Sequence, residues 1–135
     1  MVRVLPLFTQ QILRDEPITV YGGEEKTLDF TYVDDCVEGL VRGIGALAEG
    51  RVVNETINLA YGEGNTLVRA AELIGAALDR EPAINHAPPL VGEVTYYVAD
   101  ISKAATLLDW APQTPLHEGI PRAVEWWATA GVREA

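Results

Sequence analysis

Ile18-Thr19-Val20-Tyr21-Gly22-Gly23-Glu24-Glu25-Lys26-Thr27-Leu28-Asp29-Phe30-Thr31-Tyr32-Val33-Asp34-Asp35 is the stretch whose patterning decides the fold. Ile18 to Tyr21 are β-branched or aromatic and predict a short strand, because such side chains fit a pleated, half-buried surface. Gly22-Gly23-Glu24-Glu25 reads as a turn. Residues 27–33 are extended again, with Leu28, Phe30 and Tyr32 sharing one face at the two-residue period of a strand. Asp34 or Asp35 then caps a helix running to about Ala48, whose apolar side carries Val37, Leu40, Val41, Ile44 and Leu47.

The flanking sequence continues the alternation. Val4 to Leu13 reads as a helix opened by Pro6 near its first turn, with Leu5, Phe8, Ile12 and Leu13 at helical spacing, and Asp15-Glu16-Pro17 ends it. Gly43 and Gly45 weaken the helix after Asp35 and predict close packing against another element. Residues 56–60 read as a buried-type strand, followed by the loop Tyr61-Gly62-Glu63-Gly64-Asn65. Thr66 caps the next helix, with a stripe of Leu67, Ala70, Leu73, Ile74, Ala77 and Leu78. Residues 82–87 are extended and stopped by Pro88-Pro89. Ser102 caps a short helix through Leu108, which Trp110-Ala111-Pro112 stops. Residues 116 to about 130 form an amphipathic helix carrying Ile120, Val124 and Trp127. Strands alternating with helices give an α/β domain, or α+β in isolation. With no internal repeat or long linker, residues 1–135 read as one domain.

Bulk composition narrows the function classes. Hydrophobic residues at 48% and charged residues at 22% are globular values. No apolar run approaches the roughly 18 residues needed to span a bilayer. Pro6, Gln10 and Gln11 interrupt any signal-like core after Arg3, so a cytoplasmic setting is expected. A formal charge of −10 argues against nucleic-acid binding, and an anionic ligand needs local donors to hold it against the overall field. Neither a nucleic-acid nor a membrane partner is expected. The single Cys36 has no CxxC or His-rich company, excludes an internal disulfide and reads as an inert core thiol. Asp34-Asp35 before an apolar helical run is a cap rather than a metal pair. His86 and His117 are isolated, and Trp110, Trp126 and Trp127 read as helix-packing residues. Asp100-Ile101-Ser102-Lys103 reads as helix-capping geometry, with Lys103 solvated.

Seven blocks in order carry a family resemblance over nearly the whole chain. Val4-Leu5-Pro6-Leu7-Phe8 resembles the helix start that follows the catalytic half of the extended short-chain dehydrogenase/reductases, the NAD-dependent nucleotide-sugar epimerases and dehydratases. Glu16 to Gly22 resembles their x-P-I-x-V-(Y/F)-G strand, and Asp29-Phe30-Thr31-Tyr32-Val33 their R-D-(F/W/Y)-x-(Y/H)-V pattern. Asn58-Leu59-Ala60 with Gly62 resembles N-(I/L)-G-x-G. Gly92-Glu93-Val94 and Val98 to Ala104 resemble R-x-G-(D/E)-V followed by (V/A)-x-D-x-S-K-A. Leu107-Leu108-Asp109-Trp110-Ala111-Pro112 resembles L-G-W-x-P, and Leu116 to Ile120 resembles L-x-E-G-(I/L). The resemblance is of the UDP-glucose/galactose 4-epimerase type.

The resemblance implies the small substrate-binding domain of such an enzyme, with the Rossmann half missing. No G-x-x-G-x-x-G follows a strand, and Gly39, Gly43 and Gly45 have the wrong spacing inside a helix. None of the five tyrosines has a lysine four residues on, and Lys26 and Lys103 are the only lysines. In the family that tyrosine transfers the proton and the lysine lowers its pKa. NAD in the intact enzyme is therefore expected on the other half, and no catalytic, cofactor-binding or metal-binding residue is expected here. The Asn58-Leu59 strand and parts of the flanking helices are expected to return to the cofactor domain's sheet. Severed from it, the chain is expected to self-associate or repack. The intact enzyme is expected to be a homo-oligomer.

The implied partner is a nucleotide sugar, with UDP- or dTDP-sugars foremost. The strand around Thr19 and Tyr21 is expected to meet the base, backbone groups pairing with it and the aromatic ring packing nearby. Glu93 corresponds to the acid that reaches a ribose hydroxyl. Leu28 and Leu90 stand where the family supplies two arginines to the pyrophosphate. Each such charge-assisted bond is worth roughly 1.5–3 kcal/mol, so losing both costs about 3–6 kcal/mol, or about two to four decades in affinity. Lys26, two residues before Leu28, and Arg3 are the candidate replacement cations, though the point charge of Lys26 grips less well than a guanidinium, and Val4 beside Arg3 is a further candidate substrate-binding residue. Two further readings remain open: a family member acting on a substrate that is not a nucleotide diphosphate, and a non-catalytic interaction module with the same fold.

Overall fold

Two apolar clusters organise the chain. The computed structural model describes residues 3–23, 26–92 and 94–131. Its elements are α1 (Val4–Leu13), β1 (Ile18–Tyr21), β2 (Thr27–Asp29), α2 (Val33–Ala48), β3 (Gly64–Thr66), α3 (Leu67–Ala77), β4 (Ile84–Ala87), β5 (Tyr96–Tyr97), α4 (Ser102–Leu108) and α5 (Leu116–Trp126), followed by a π-helical turn at Trp127–Gly131. The main cluster joins Phe8 and Ile12 of α1, Ile18 and Val20 of β1, Ala70 and Ile74 of α3, and Ile120 and Val124 of α5. A smaller one joins Ala46, Ala104, Leu108 and Trp110, with Ile57 and Leu59 packed against it. β1 pairs in parallel with β4, while β2 lies between antiparallel β3 and parallel β5. The result is the mixed α/β domain expected.

Local patterning places most elements correctly. α1, β1 and β4 occupy the expected residues, and Thr66 caps α3 by accepting the Arg69 N–H at 3.0 Å. The Asp100 carboxylate takes the Ser102 N–H at 2.8 Å, so the acid meets the first turn of α4 and Ser102 is its first residue. That bond and the Ser102 hydroxyl hold the Asp100 carboxyl below its usual range. Lys103 reaches Glu55 at 2.7 Å.

Several expectations are corrected. α2 begins at Val33, and neither Asp34 nor Asp35 caps it, because the N-cap is Tyr32 without a side-chain bond. Asp35 instead turns inward, only 5% exposed. Its carboxylate accepts the Thr114 N–H at 2.9 Å and the Thr114 hydroxyl at 3.3 Å, while its carbonyl takes the Trp110 indole N–H at 3.1 Å. Residues 56–60 are not a strand, since no strand among the described residues pairs with them; Ile57 and Leu59 pack on the smaller cluster and the Asn58 amide bonds the Asp100 carbonyl at 3.1 Å. Part of the expected loop before Thr66 is extended instead, as β3 against β2. The close-packing glycine of α2 is Gly39, where a Cβ would meet Leu59 at 2.7 Å and Trp110 at 3.2 Å; Gly43 and Gly45 face open space. The α2 face of Val37, Leu40, Val41, Ile44 and Leu47 is 51–69% exposed, so this chain does not bury the apolar stripe that predicts the helix. Cys36 is half-buried rather than core, and Trp126 is exposed.

The Asp35 network joins α2 to the segment before α5 across 79 residues of chain. Asp35→Ala leaves the Thr114 N–H without its acceptor inside the protein. The expected loss is about 2 kcal/mol, read as a lower urea midpoint at unchanged slope. An unchanged midpoint contradicts this role.

Candidate substrate-binding site

β1 builds one wall of the candidate site. Ile18 and Val20 are buried in the main core, so alternation turns Thr19 and Tyr21 to the opposite face. β4 lies beside them in register, Thr19 with Asn85 and Tyr21 with Ala87. The bonds from Ile18 N–H to the Ala83 carbonyl (2.9 Å) and from Gly22 N–H to the Ala87 carbonyl (3.2 Å) bracket this ladder. Both run from even-numbered positions, Ile18 within β1 and Gly22 just past it. In a parallel ladder the intervening residues aim their N–H and C=O at the other edge. The Thr19 and Tyr21 backbone groups thus face an edge on which no strand pairs with β1 among the described residues. The Tyr21 ring is 39% exposed.

The other candidate residues divide into two groups. Val4 and Leu28 pack against the main core together with Leu5 and Phe30, so the leucine at the first arginine position is folded onto apolar neighbours. Leu90, at the second, is 54% exposed just past β4. Lys26 is 6% exposed and is not without a partner, a burial that its place beside a turn did not signal. Arg3 is exposed at the N-cap of α1, its carbonyl accepting the Leu7 N–H at 3.1 Å. Glu93 lies outside the described residues. β1 and β2 fall in different sheets, so strand pairing does not join Thr19 and Tyr21 to Lys26 and Leu28. Beside β2, Tyr97 stands in register with Leu28 and Tyr96 with Thr27, both rings exposed.

Asp29, at the end of β2, organises this region and was missed as a site-building residue. Its Oδ1 accepts the Tyr61 N–H at 3.1 Å, and its Oδ2 accepts the N–H groups of Gly62 at 3.0 Å and Ala99 at 3.2 Å. The Thr31 hydroxyl oxygen also accepts the Tyr61 N–H, at 3.2 Å. One carboxylate thereby fixes β2, the 61–62 loop and the chain leaving β5.

Three cavities lie beside these elements, and none includes Thr19, Tyr21, Lys26, Leu28 or Leu90 in its lining. An apolar one of about 590 Å³ opens between α1, the start of α2 and α5, with Leu5, Tyr32, Val33, Val124 and Trp127 on its walls. A smaller one of about 180 Å³ brings Leu5 of α1 to Phe30 and Thr31 after β2. A polar one of about 460 Å³ holds Tyr61, Asn65, Arg69 and His117. Desolvation first, then the Glu63, Asp35 and Glu118 carboxylates, raise the Tyr61 phenol above its usual 10.0. Among the described residues no group of three His, Cys, Asp or Glu could hold a metal, and no helix is long and apolar enough to cross a membrane.

A family model described as GDP-mannose 4,6 dehydratase matches residues 1–123. The chain belongs to that family of NAD-dependent nucleotide-sugar epimerases and dehydratases. It is 38% identical over 122 residues to UDP-glucuronic acid decarboxylase 1 of Arabidopsis thaliana, covering 90% of this chain and 27% of the relative. It is 30% identical over 117 residues to an uncharacterized UDP-glucose epimerase of Bacillus subtilis, covering 87% and 36%. Among solved structures it is similar to UDP-glucuronic acid 4-epimerase of Bacillus cereus in complex with UDP-glucuronic acid and NAD. That match has a TM-score of 0.83 at 28% identity and covers 92% of this chain and 39% of that one. The UDP-glucose 4-epimerase of Thermotoga maritima with UDP-glucose matches at TM-score 0.80 and 30% identity, covering 94% and 40%. The chain thus spans roughly a quarter to two-fifths of the proteins it matches.

Two predictions follow from Asp29 and Tyr61. Asp29→Ala removes three charge-assisted acceptances from a half-buried carboxylate, which should cost about 2–3 kcal/mol. Hydrogen exchange should accelerate at the Tyr61, Gly62 and Ala99 amides first; uniform acceleration across all elements contradicts a local latch. Because folding raises the Tyr61 pKa, its share of stability is complete below pH 10 and lost as pH rises through the raised value. Tyr61→Phe should therefore move alkaline unfolding to higher pH, and an unmoved transition contradicts this.

Proposed function

We propose that the chain is the nucleotide-holding portion of an NAD-dependent UDP-sugar enzyme of the 4-epimerase type. The observation that carries this reading is the open edge of β1, where Thr19 and Tyr21 present backbone donors and acceptors beside an exposed aromatic ring. A nucleobase needs that combination: a flat apolar contact plus a few fixed polar groups. The B. cereus and T. maritima relatives hold UDP-glucuronic acid and UDP-glucose, which supports UDP as the nucleotide.

The residues present do not fit NAD. Thr31-Tyr32 leads into α2 and Thr66 into α3, and neither junction is a glycine-rich turn that lets a backbone approach a pyrophosphate. Gly64, just before α3, is occupied by its strand contact, since a Cβ there would sit 2.2 Å from Thr27. NAD, where the intact enzyme holds it, supplies the hydride acceptor on the other half. This chain's share is to bind and orient the nucleotide and to exclude water from the cleft between the halves. The bare apolar face of α2 and the unpaired segment 56–60 are the surfaces that the cofactor half covers in this reading.

A second reading has its own support. Leu28 folded on the core and Leu90 beyond β4 offer a pyrophosphate no guanidinium, which suits a less anionic substrate. Leu28→Arg with Leu90→Arg separates the two. If the cleft is shaped for UDP-glucose, the double variant should bind it at least about tenfold more tightly by calorimetric titration. Affinity that stays flat or falls favours the less anionic substrate.

A further inference from the structure

The polar cavity of about 460 Å³ takes no part in the β1 edge. Three separate segments build it: the loop entering β3, the first two turns of α3, and the start of α5. Leu73 and Leu116 supply apolar wall, and both pack on the main core. The 61–62 loop is held by Asp29, whose carboxylate takes the Tyr61 and Gly62 N–H groups, and Thr66 caps α3. The walls are thus fixed before a ligand arrives, which lowers the cost of binding. Tyr61, Glu63, Asn65 and His117 line the space, and their side chains have no hydrogen-bond or ion-pair partner among the described residues. Elsewhere Asp29, Asp35 and Lys103 are all paired within the protein. Four unpartnered polar side chains around one cavity leave their donors and acceptors to a ligand.

The charges of the lining decide what that ligand is. Arg69 and Glu63 are its formally charged members, one of each sign. An anion meets the Glu63 carboxylate, and Asp35 and Glu118 add to the negative field that raises the Tyr61 phenol. A cation meets the Arg69 guanidinium. An uncharged ligand whose groups both donate and accept meets neither penalty. Arg69 supplies donors only, Glu63 acceptors only, and Asn65, His117 and Tyr61 both. The Tyr61 ring adds a flat apolar contact. We propose that this cavity is a second ligand site, for a neutral sugar whose hydroxyls bond Glu63, Asn65 and Arg69 while one ring face lies on Tyr61. The site is independent of the nucleotide platform, since no residue of β1 lines it.

The test is amide chemical-shift mapping with calorimetric titration of the chain by glucose, galactose and mannose. Inorganic phosphate and methylammonium serve as the charged probes. At least one sugar should give saturable shifts centred on the Glu63, Asn65, Arg69 and His117 amides, with both charged probes binding more weakly. Glu63→Ala and Arg69→Ala, both at exposed positions, should each weaken that sugar about three- to tenfold. Thermal unfolding of each variant controls for folding. Absence of saturable shifts at these amides with all three sugars overturns the site. Phosphate or methylammonium binding more tightly than every sugar overturns the ligand class, and sugar affinity unmoved by both substitutions overturns the placement.

Discussion

The architecture depends on one carboxylate. β2 has three residues, and its partners β3 and β5 have three and two, too few ladder bonds to hold a sheet alone. Asp29 compensates by collecting backbone N–H groups from the 61–62 loop and from Ala99, so three chain segments meet at one side chain. The same alternation that points Asp29 toward those amides turns Leu28 and Phe30 to the main core. The latch and the core contact are thus two faces of a single strand, and neither can shift without the other.

From that constraint follows an asymmetric domain. One side of α2 is tied down through Gly39 against Leu59 and Trp110, and through Asp35 to Thr114. Its other side is a continuous apolar stripe facing outward. A stripe of that kind is the usual mark of a surface another structure covers, and the curated relatives are about three to four times longer than the share this chain matches. The exposed β1 edge is the complementary feature: unsatisfied in pairing, polar in its backbone, and flanked by an aromatic ring. Hydrophobic and polar incompleteness sit on different parts of the domain, which suits one surface for a protein half and another for a ligand.

Much of this was legible locally. Helical spacing placed α1 and α3, β-branching placed β1, and the alternation of Ile18, Thr19, Val20 and Tyr21 separated core from candidate site. What failed needed a distant partner. Residues 56–60 carry strand-type side chains, but a strand exists only where another lies beside it. Asp35 has the pattern of a cap and is instead claimed by Thr114, and Gly39 rather than Gly43 or Gly45 is the contact because Trp110 reaches it from far along the chain. Asp29 looks like one acid within an extended run, since its three donors lie 32 to 70 residues away. Tyr96 and Tyr97 carried no signal of their place, because β5 is two residues long and is defined only by β2.

The central claim is that a nucleotide engages the open edge of β1. Backbone amide chemical-shift mapping during a titration with uridine monophosphate tests it most directly. The account predicts saturable shifts centred on the Thr19 and Tyr21 amides, fading toward α4. Shifts gathered instead around Leu5, Val124 and Trp127 in the apolar cavity, with the β1 edge unmoved, would contradict it.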